Sequence, residues 1–285
     1  MDKNTLIGAL LIGAVLIGFT WFSKPDPTQS PAPSPQDTTQ LVTQAPAPAA
    51  GVSSTDSASL DSLGAPVLPP YLQPTEERIV ELKNEKLSVK LSTKGGAPVE
   101  AVLADYLDQS KKPVHLFRKG DARLDLPLRT LENRLVSTAD ASFSVVESTD
   151  STAVLRMQID DVAYLDYAYK LRPADYRVDL VIRGHELRRF LPVNIALQDI
   201  EWTQRIPQQE QSWKFEGQYS GVYYHFPQGD VDRLETTSES SEDVQETLRW
   251  VAFKDKYFSS VLIASATGFK DNKLSIKAAK EGSGY

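Results

Sequence analysis

Tyr167-Ala168-Tyr169-Lys170-Leu171, Arg172-Pro173-Ala174-Asp175 and Tyr176-Arg177-Val178-Asp179-Leu180-Val181-Ile182 run on from one another, and their reading decides the fold. Aromatic and β-branched residues alternate with polar ones on both flanks, and the proline between them fixes φ for a turn, so the stretch predicts a β-hairpin. The same period of two recurs on either side. Leu87, Val89 and Leu91 alternate with Ser88, Lys90 and Ser92; Leu155, Met157 and Ile159 with Arg156 and Gln158; Val193, Ile195 and Leu197 with Asn194 and Gln198. Each pattern predicts a strand with one dry face. Helical periodicity is scarce. Ser240 to Lys254 could begin as a short helical turn, but Trp250 and Phe253 point equally to a strand. Many short antiparallel strands in residues 76–285 imply a mainly β body of packed sheets.

The composition narrows the function. The 285 residues include no cysteine, which excludes disulfide staples, thiolate metal sites and a cysteine nucleophile. Thirty-one basic residues against 38 acidic ones, a net charge of −7, lack the footprint of a nucleic-acid binder. A hydrophobic content of 41% suffices for a core.

Ahead of the body lie two other compositional units. Thr5 to Phe22 carries no charge, and as a helix it would cover roughly 27 Å, close to the ~30 Å hydrocarbon core of a bilayer. Trp21, Phe22 and Lys24 suit an exit through the headgroup zone, so residues 1–23 are expected to be a transmembrane anchor. A cleaved signal peptide competes. The length of the run, the bulky Trp21-Phe22 pair where small residues would be needed, and the missing lipobox cysteine argue against it. Lys3 and the terminal amine against Lys24 slightly favour a cytoplasmic N-terminus. Residues 24–75 hold eleven of the 18 prolines and only five charges, which predicts a solvated linker. Its polyproline-like runs give it a reach of at least roughly 40 Å.

Catalytic or binding chemistry would bring histidines, carboxylates or nucleophiles together at a required spacing. His115 lies at a strand entry, where a half-buried histidine satisfied by backbone is the simpler reading. His185 and Glu186 are adjacent, and neighbours on a strand point to opposite faces, so they do not jointly bind a metal. His225 sits in an aromatic stretch and is expected to pack on a sheet. Ser220 follows Gly217 at the wrong spacing for a nucleophile elbow. Asp160-Asp161 and the carboxylates from Glu235 to Asp243, the latter read as a mobile acidic loop, lack calcium-loop spacing. Gly95-Gly96 lacks the context of a phosphate loop and reads as a turn needing positive φ. No catalytic, cofactor-binding or metal-binding residue is therefore expected, and no cofactor.

Three stretches together resemble a known family. The opening MDKNTLIGALLIGAVLIGFTWFSKP, the segment Asn84-Glu85-Lys86-Leu87-Ser88-Val89-Lys90-Leu91-Ser92-Thr93-Lys94-Gly95-Gly96, and Trp250-Val251-Ala252-Phe253-Lys254-Asp255-Lys256-Tyr257-Phe258 are similar, in order and separation, to the YidC/Oxa/Alb family of membrane insertases in the form found in Bacteroidota. The resemblance implies a periplasmic β-supersandwich of two large antiparallel sheets, like those of galactose-mutarotase-type proteins. It further implies a place in the inner membrane, no enzymatic activity, and as partners the lipid bilayer, nascent membrane proteins and the Sec translocon. Asp37-Thr38-Thr39, Asp56-Ser57-Ala58 and Asp61-Ser62-Leu63 resemble the short O-glycosylation signal of Bacteroidota periplasmic proteins, although chance occurrence in such a linker is the favoured explanation.

Family members continue through an amphipathic helix into five further transmembrane helices that form the insertase groove. Nothing of that kind follows Tyr285, and a sandwich would normally finish with more strands after Leu274-Ser275-Ile276, so the sequence is expected to be a truncated product or a partial one, carrying the anchor and an incomplete periplasmic domain without the insertase core. Two rivals remain on the same fold, since a fold does not decide function. One is a carbohydrate-binding or sugar-active protein using Trp202, Trp213 or Tyr223; the other is a membrane-tethered scaffold.

Overall fold

Tyr164–Leu171 and Val178–His185 form the antiparallel hairpin that their alternation predicts, paired without interruption from Tyr164 opposite His185 to Leu171 opposite Val178. Arg172 N–H donates to the Arg177 carbonyl at 3.1 Å to close the turn. The structure is a computed structural model and describes residues 68–193, 198–235 and 239–277. The expected anchor over residues 5–22, the linker up to residue 67 and the three Asp-Ser/Thr triplets lie outside the described residues. No helix among the described residues is long and apolar enough to cross a membrane.

Along the chain, β1 (Ile79–Lys83), β2 (Leu87–Ser92), β3 (Pro98–Leu107) and β4 (Pro113–Phe117) make one four-stranded sheet in sequence order. The short strands β5 (Ala122–Asp125), β6 (Pro127–Arg129) and β7 (Leu135–Ser137) follow. Then β8 (Ser144–Ser148), β9 (Thr152–Gln158), β10 (Tyr164–Leu171) and β11 (Val178–His185) form the second large sheet, in the order β11-β10-β9-β8. The inward rows of these two sheets meet in one core. Leu82, Leu91, Leu155, Met157 and Tyr167 are each 0% exposed, and burying each such side chain stabilises by roughly 1.5–3 kcal/mol.

Two devices fix how the sheets meet. Asn84 Nδ2 donates to the carbonyls of Arg172 and Asp175, each at 2.7 Å, tying the β1–β2 turn to the β10–β11 turn. At the other end Gly95 and Gly96 have φ of +82° and +66°, the positive values expected from sequence, and Tyr169 Oη donates to the Gly96 carbonyl at 2.8 Å. Beside this turn a buried polar network runs from Tyr167 Oη through Thr138 Oγ1 to Asp125, which also accepts from Ser137, Arg123 and the Ala139 N–H. Tyr71, which composition places in the linker, is buried in the same core, its ring edge-on to Phe190 at 5.8 Å.

The second half is built from β12 (Glu201–Gln204), paired to β5, and from β13 (Gly221–His225), β14 (Val231–Glu235), β15 (Ser240–Val244), β16 (Trp250–Lys254), β17 (Ser259–Ile263) and β18 (Asn272–Ile276). Four of them form a sheet ordered β14-β13-β16-β17, and β15 pairs with β18. The described residues thus form a sandwich of antiparallel sheets, as expected. Among the described residues the ladders divide into six sheets, none wider than four strands.

Three local expectations are corrected. Val193 is 87% exposed and lies in a turn, with no dry face, and residues 194–197 lie outside the described residues. Ser240 to Lys254 contains no helical turn but two strands, β15 and β16. The acidic stretch read as a loop is, over Ser240–Val244, a strand in register with β18. There backbone pairing and the buried Val244 outweigh a polar composition, because Ser241, Glu242 and Asp243 face solvent.

Candidate functional site

The segment Trp250–Phe258 is strand β16 followed by a tight turn, and each of its large residues has a packing partner. The Trp250 ring stacks on His225 at 5.2 Å, and Phe253 meets Trp202 edge-on at 4.3 Å. The turn is held by Asp255, 4% exposed, whose Oδ1 accepts the N–H groups of Tyr257 at 2.6 Å and Phe258 at 2.5 Å. Burial pushes this carboxyl above its ordinary range. Phe258 then reaches across to β3, edge-on to Tyr106 at 5.2 Å.

Opposite this turn stands the short helix α1 (Trp213–Gly217), capped by the Ser212 hydroxyl, which accepts the Phe215 N–H at 3.3 Å. Its Glu216 is fully buried and turns back to accept the N–H groups of Gln209 and Glu210 at 2.9–3.1 Å. Burial raises its pKa as well. Ser220 Oγ donates to the Glu216 carbonyl at 3.1 Å, closing the helix.

Between the two sits Lys256. Its ammonium lies 3.0 Å from Glu210 and over the rings of Phe215 at 4.3 Å and Tyr257 at 4.8 Å. Tyr257 Oη also donates to Glu210. These two hydrogen bonds, Tyr257 first, hold Glu210 below the usual carboxylate range. Phe215, Tyr219 and Tyr257 are 45%, 42% and 56% exposed, so the rings present a cation-centred aromatic patch to solvent. The carboxylates are engaged by backbone amides or Lys256, and no group of three or more potential ligands that could hold a metal occurs among the described residues.

The other sequence candidates stay apart. His115 is in β4, half-buried, its pKa lowered by burial; contrary to expectation its Nδ1 has no hydrogen-bond partner among the described residues. His185 ends β11 and stacks on Tyr164 at 4.8 Å, while Glu186 holds Arg188 at 3.0 Å. Asp160 Oδ1 accepts the N–H groups of Val162 and Ala163 in a local turn. Trp202 packs on Phe253, and Tyr223 pairs with Ala252, the neighbouring residue of β16. Neighbours on a strand point to opposite faces, so Trp202 and Tyr223 do not share one sugar-binding platform. Sequence reading missed Glu210, Phe215 and Tyr219, whose meeting with Lys256 spans some forty residues and leaves no local signal.

A family profile for the YidC periplasmic domain matches residues 79–284, the span that holds every strand described above. The membrane protein insertase YidC of Porphyromonas gingivalis is 44% identical over the whole chain, which covers 47% of that relative. The one of Phocaeicola vulgatus is 34% identical, again over the whole chain and 46% of the relative. That of Cytophaga hutchinsonii is 26% identical over 91% of the chain and 42% of the relative. The chain spans about half the length of the curated relatives it matches. With a profile match across nearly all of its sandwich and identity of this order from end to end, the chain belongs to the YidC family and carries that family's periplasmic domain.

Proposed function

We propose that this chain is a component of a membrane protein insertase, comprising an anchor over residues 1–23, a linker over 24–75 whose last residues dock on the domain through the buried Tyr71, and a periplasmic β-domain over 76–285. It is held in the bacterial inner membrane with its N-terminus cytoplasmic, and assists insertion and folding of nascent membrane proteins, alone or with the Sec translocon. The observation that supports this most is the end-to-end alignment: similarity to proteins named membrane protein insertase YidC runs through the apolar N-terminal stretch as well as the sandwich. An insertase lowers the cost of desolvating polar flanks as an apolar segment enters lipid, which needs neither cofactor nor covalent intermediate. The β-domain has no part in a chemical step on this reading. It offers a rigid surface outside the bilayer, and the patch around Lys256 is the part of that surface best suited to grip a partner.

The test is fractionation of the native host followed by purification from solubilised membranes. The chain is expected to resist a carbonate wash, to be cut within residues 24–285 by protease added outside the inner membrane, and to bring Sec subunits with it. Release by carbonate would refute the anchor, protection from external protease would refute the orientation, and a preparation free of Sec subunits would refute the partnership.

A further inference from the structure

The edges of the two large sheets are not alike. β8 is five residues long and bulged between Val145 and Glu147. β4 begins at Pro113 and pairs through shifted register, and β1 alternates Glu81 and Lys83 with its buried residues. Bulges, prolines and charges are the usual protection of an edge. β11 has none of the first two: eight residues in unbroken register with β10, the last strand of its sheet, with no backbone partner on its outer side among the described residues. Its apolar rows also run out uncovered. Ile182 lies opposite Tyr167, which is 0% exposed, yet Ile182 is 36% exposed and Val181 47%.

We propose that β11 is a pairing edge for a second copy of this chain, antiparallel across a two-fold axis at Val181. Such an axis, perpendicular to the sheet, keeps each face with its like, so Val181 meets Val181, Leu180 meets Ile182, and Asp179 meets Arg183. The spacing of that acid and base about Val181 makes the edge complementary to itself. Opposite charges directly across a ladder stabilise it and like charges oppose it. Arg183 forms no ion pair among the described residues and is available for the contact, whereas Asp179 holds Arg172 at 2.8 Å from the outer end of the same face.

The native chain lacks cysteine, so a single introduced thiol reports its own neighbours. The full chain in detergent micelles, carrying Val181→Cys, is oxidised and run without reductant. Directly opposed Cβ atoms lie about 4.5–5.5 Å apart, close to the span of a disulfide. Crosslinked dimer is expected at about tenfold the level given by Val146→Cys, an exposed control on the opposite edge of the sheet whose thiol would lack an opposed partner. Asp179→Cys and Arg183→Cys should each fail alone and crosslink when mixed. Equal yields from Val181→Cys and Val146→Cys, or crosslinking of Asp179→Cys alone, would overturn the proposal. So would slow hydrogen exchange throughout β11 that is independent of protein concentration, because the edge would then be covered from within its own chain.

Discussion

Replacing Gly96 by alanine tests whether the Gly95-Gly96 turn is set by packing as well as by φ. At φ +66° an alanine costs roughly 1–2 kcal/mol, partly offset by the roughly 0.4–1 kcal/mol gained when a glycine is lost from the unfolded chain. A second cost comes from space. The new Cβ would sit 2.7, 2.8 and 2.9 Å from Cε1, Cζ and Cδ1 of Phe143, a ring that is 4% exposed and lies 5.0 Å from that of Tyr167. The Gly96 carbonyl is held by Tyr169, so the backbone does not swing away freely. Overpacking of this kind costs typically about 1–3 kcal/mol, giving about 2–4 kcal/mol in total. Gly120 supplies the control, with φ +93° and nothing within 4 Å of its would-be Cβ. Gly120→Ala should lose only about 1 kcal/mol, the conformational part. Urea denaturation followed by circular dichroism compares the two, and Gly96→Ala made in a Phe143→Leu background should recover about 1 kcal/mol of the loss as coupling. Equal losses for Gly96→Ala and Gly120→Ala, or strict additivity with Phe143→Leu, would refute the packing argument.

Asp125 is buried, which works to raise its pKa, but bonds from Ser137, Ala139 and Thr138 outweigh this and the net shift is downward. A carboxyl depressed in the folded state stabilises at neutral pH and loses that contribution as pH falls through its folded value. Asp125→Asn should therefore cost about 2–4 kcal/mol at pH 7, and the gap to the parent should narrow in acid; a constant gap across a pH series of melts would contradict it. Tyr167, its phenol pushed up to about 12 by burial, donates to Thr138; Tyr167→Phe should lose about 1 kcal/mol in the same denaturation assay. Met157→Ala, at a site with no exposure, should lose about 2–5 kcal/mol. Lys256→Met keeps the aliphatic stem and removes the charge beside Glu210, so stability should change little. Sec co-purification should fall if the aromatic patch is the gripping surface, and retention at the parent's level would show that the contact lies elsewhere.

The legible parts of this molecule are those where a local pattern and its environment agree. Leu87, Val89 and Leu91, or Leu155 and Met157, announce a dry face by alternation, and the fold buries them where the pattern says. Val193 opens a similar alternation without that outcome at its own position, where it lies exposed in a turn. β15 is the converse, a polar segment made into a strand by its partner β18. Both misreadings have one cause, that strand pairing is decided between segments and not within one.

Two of the three stretches that carry the family resemblance are distinct from the surface that would carry function. The Lys94-Gly95-Gly96 turn and the Trp250–Phe258 segment are rich in residues that a search for chemistry stops at, yet the sandwich uses most of them internally. Gly95 would place a Cβ 2.8 Å from the Ala139 carbonyl oxygen, Trp250 covers His225, and Asp255 ties down its own turn. What the Trp250–Phe258 segment leaves outside is Lys256 with Tyr257, and these become a surface only through Glu210, Phe215 and Tyr219, contributed by α1 and the loops flanking it. A motif of this kind identifies the family because the scaffold requires it. The residues that meet a partner need only be brought together by that scaffold, so they are read from the fold and not from the spacing of the sequence.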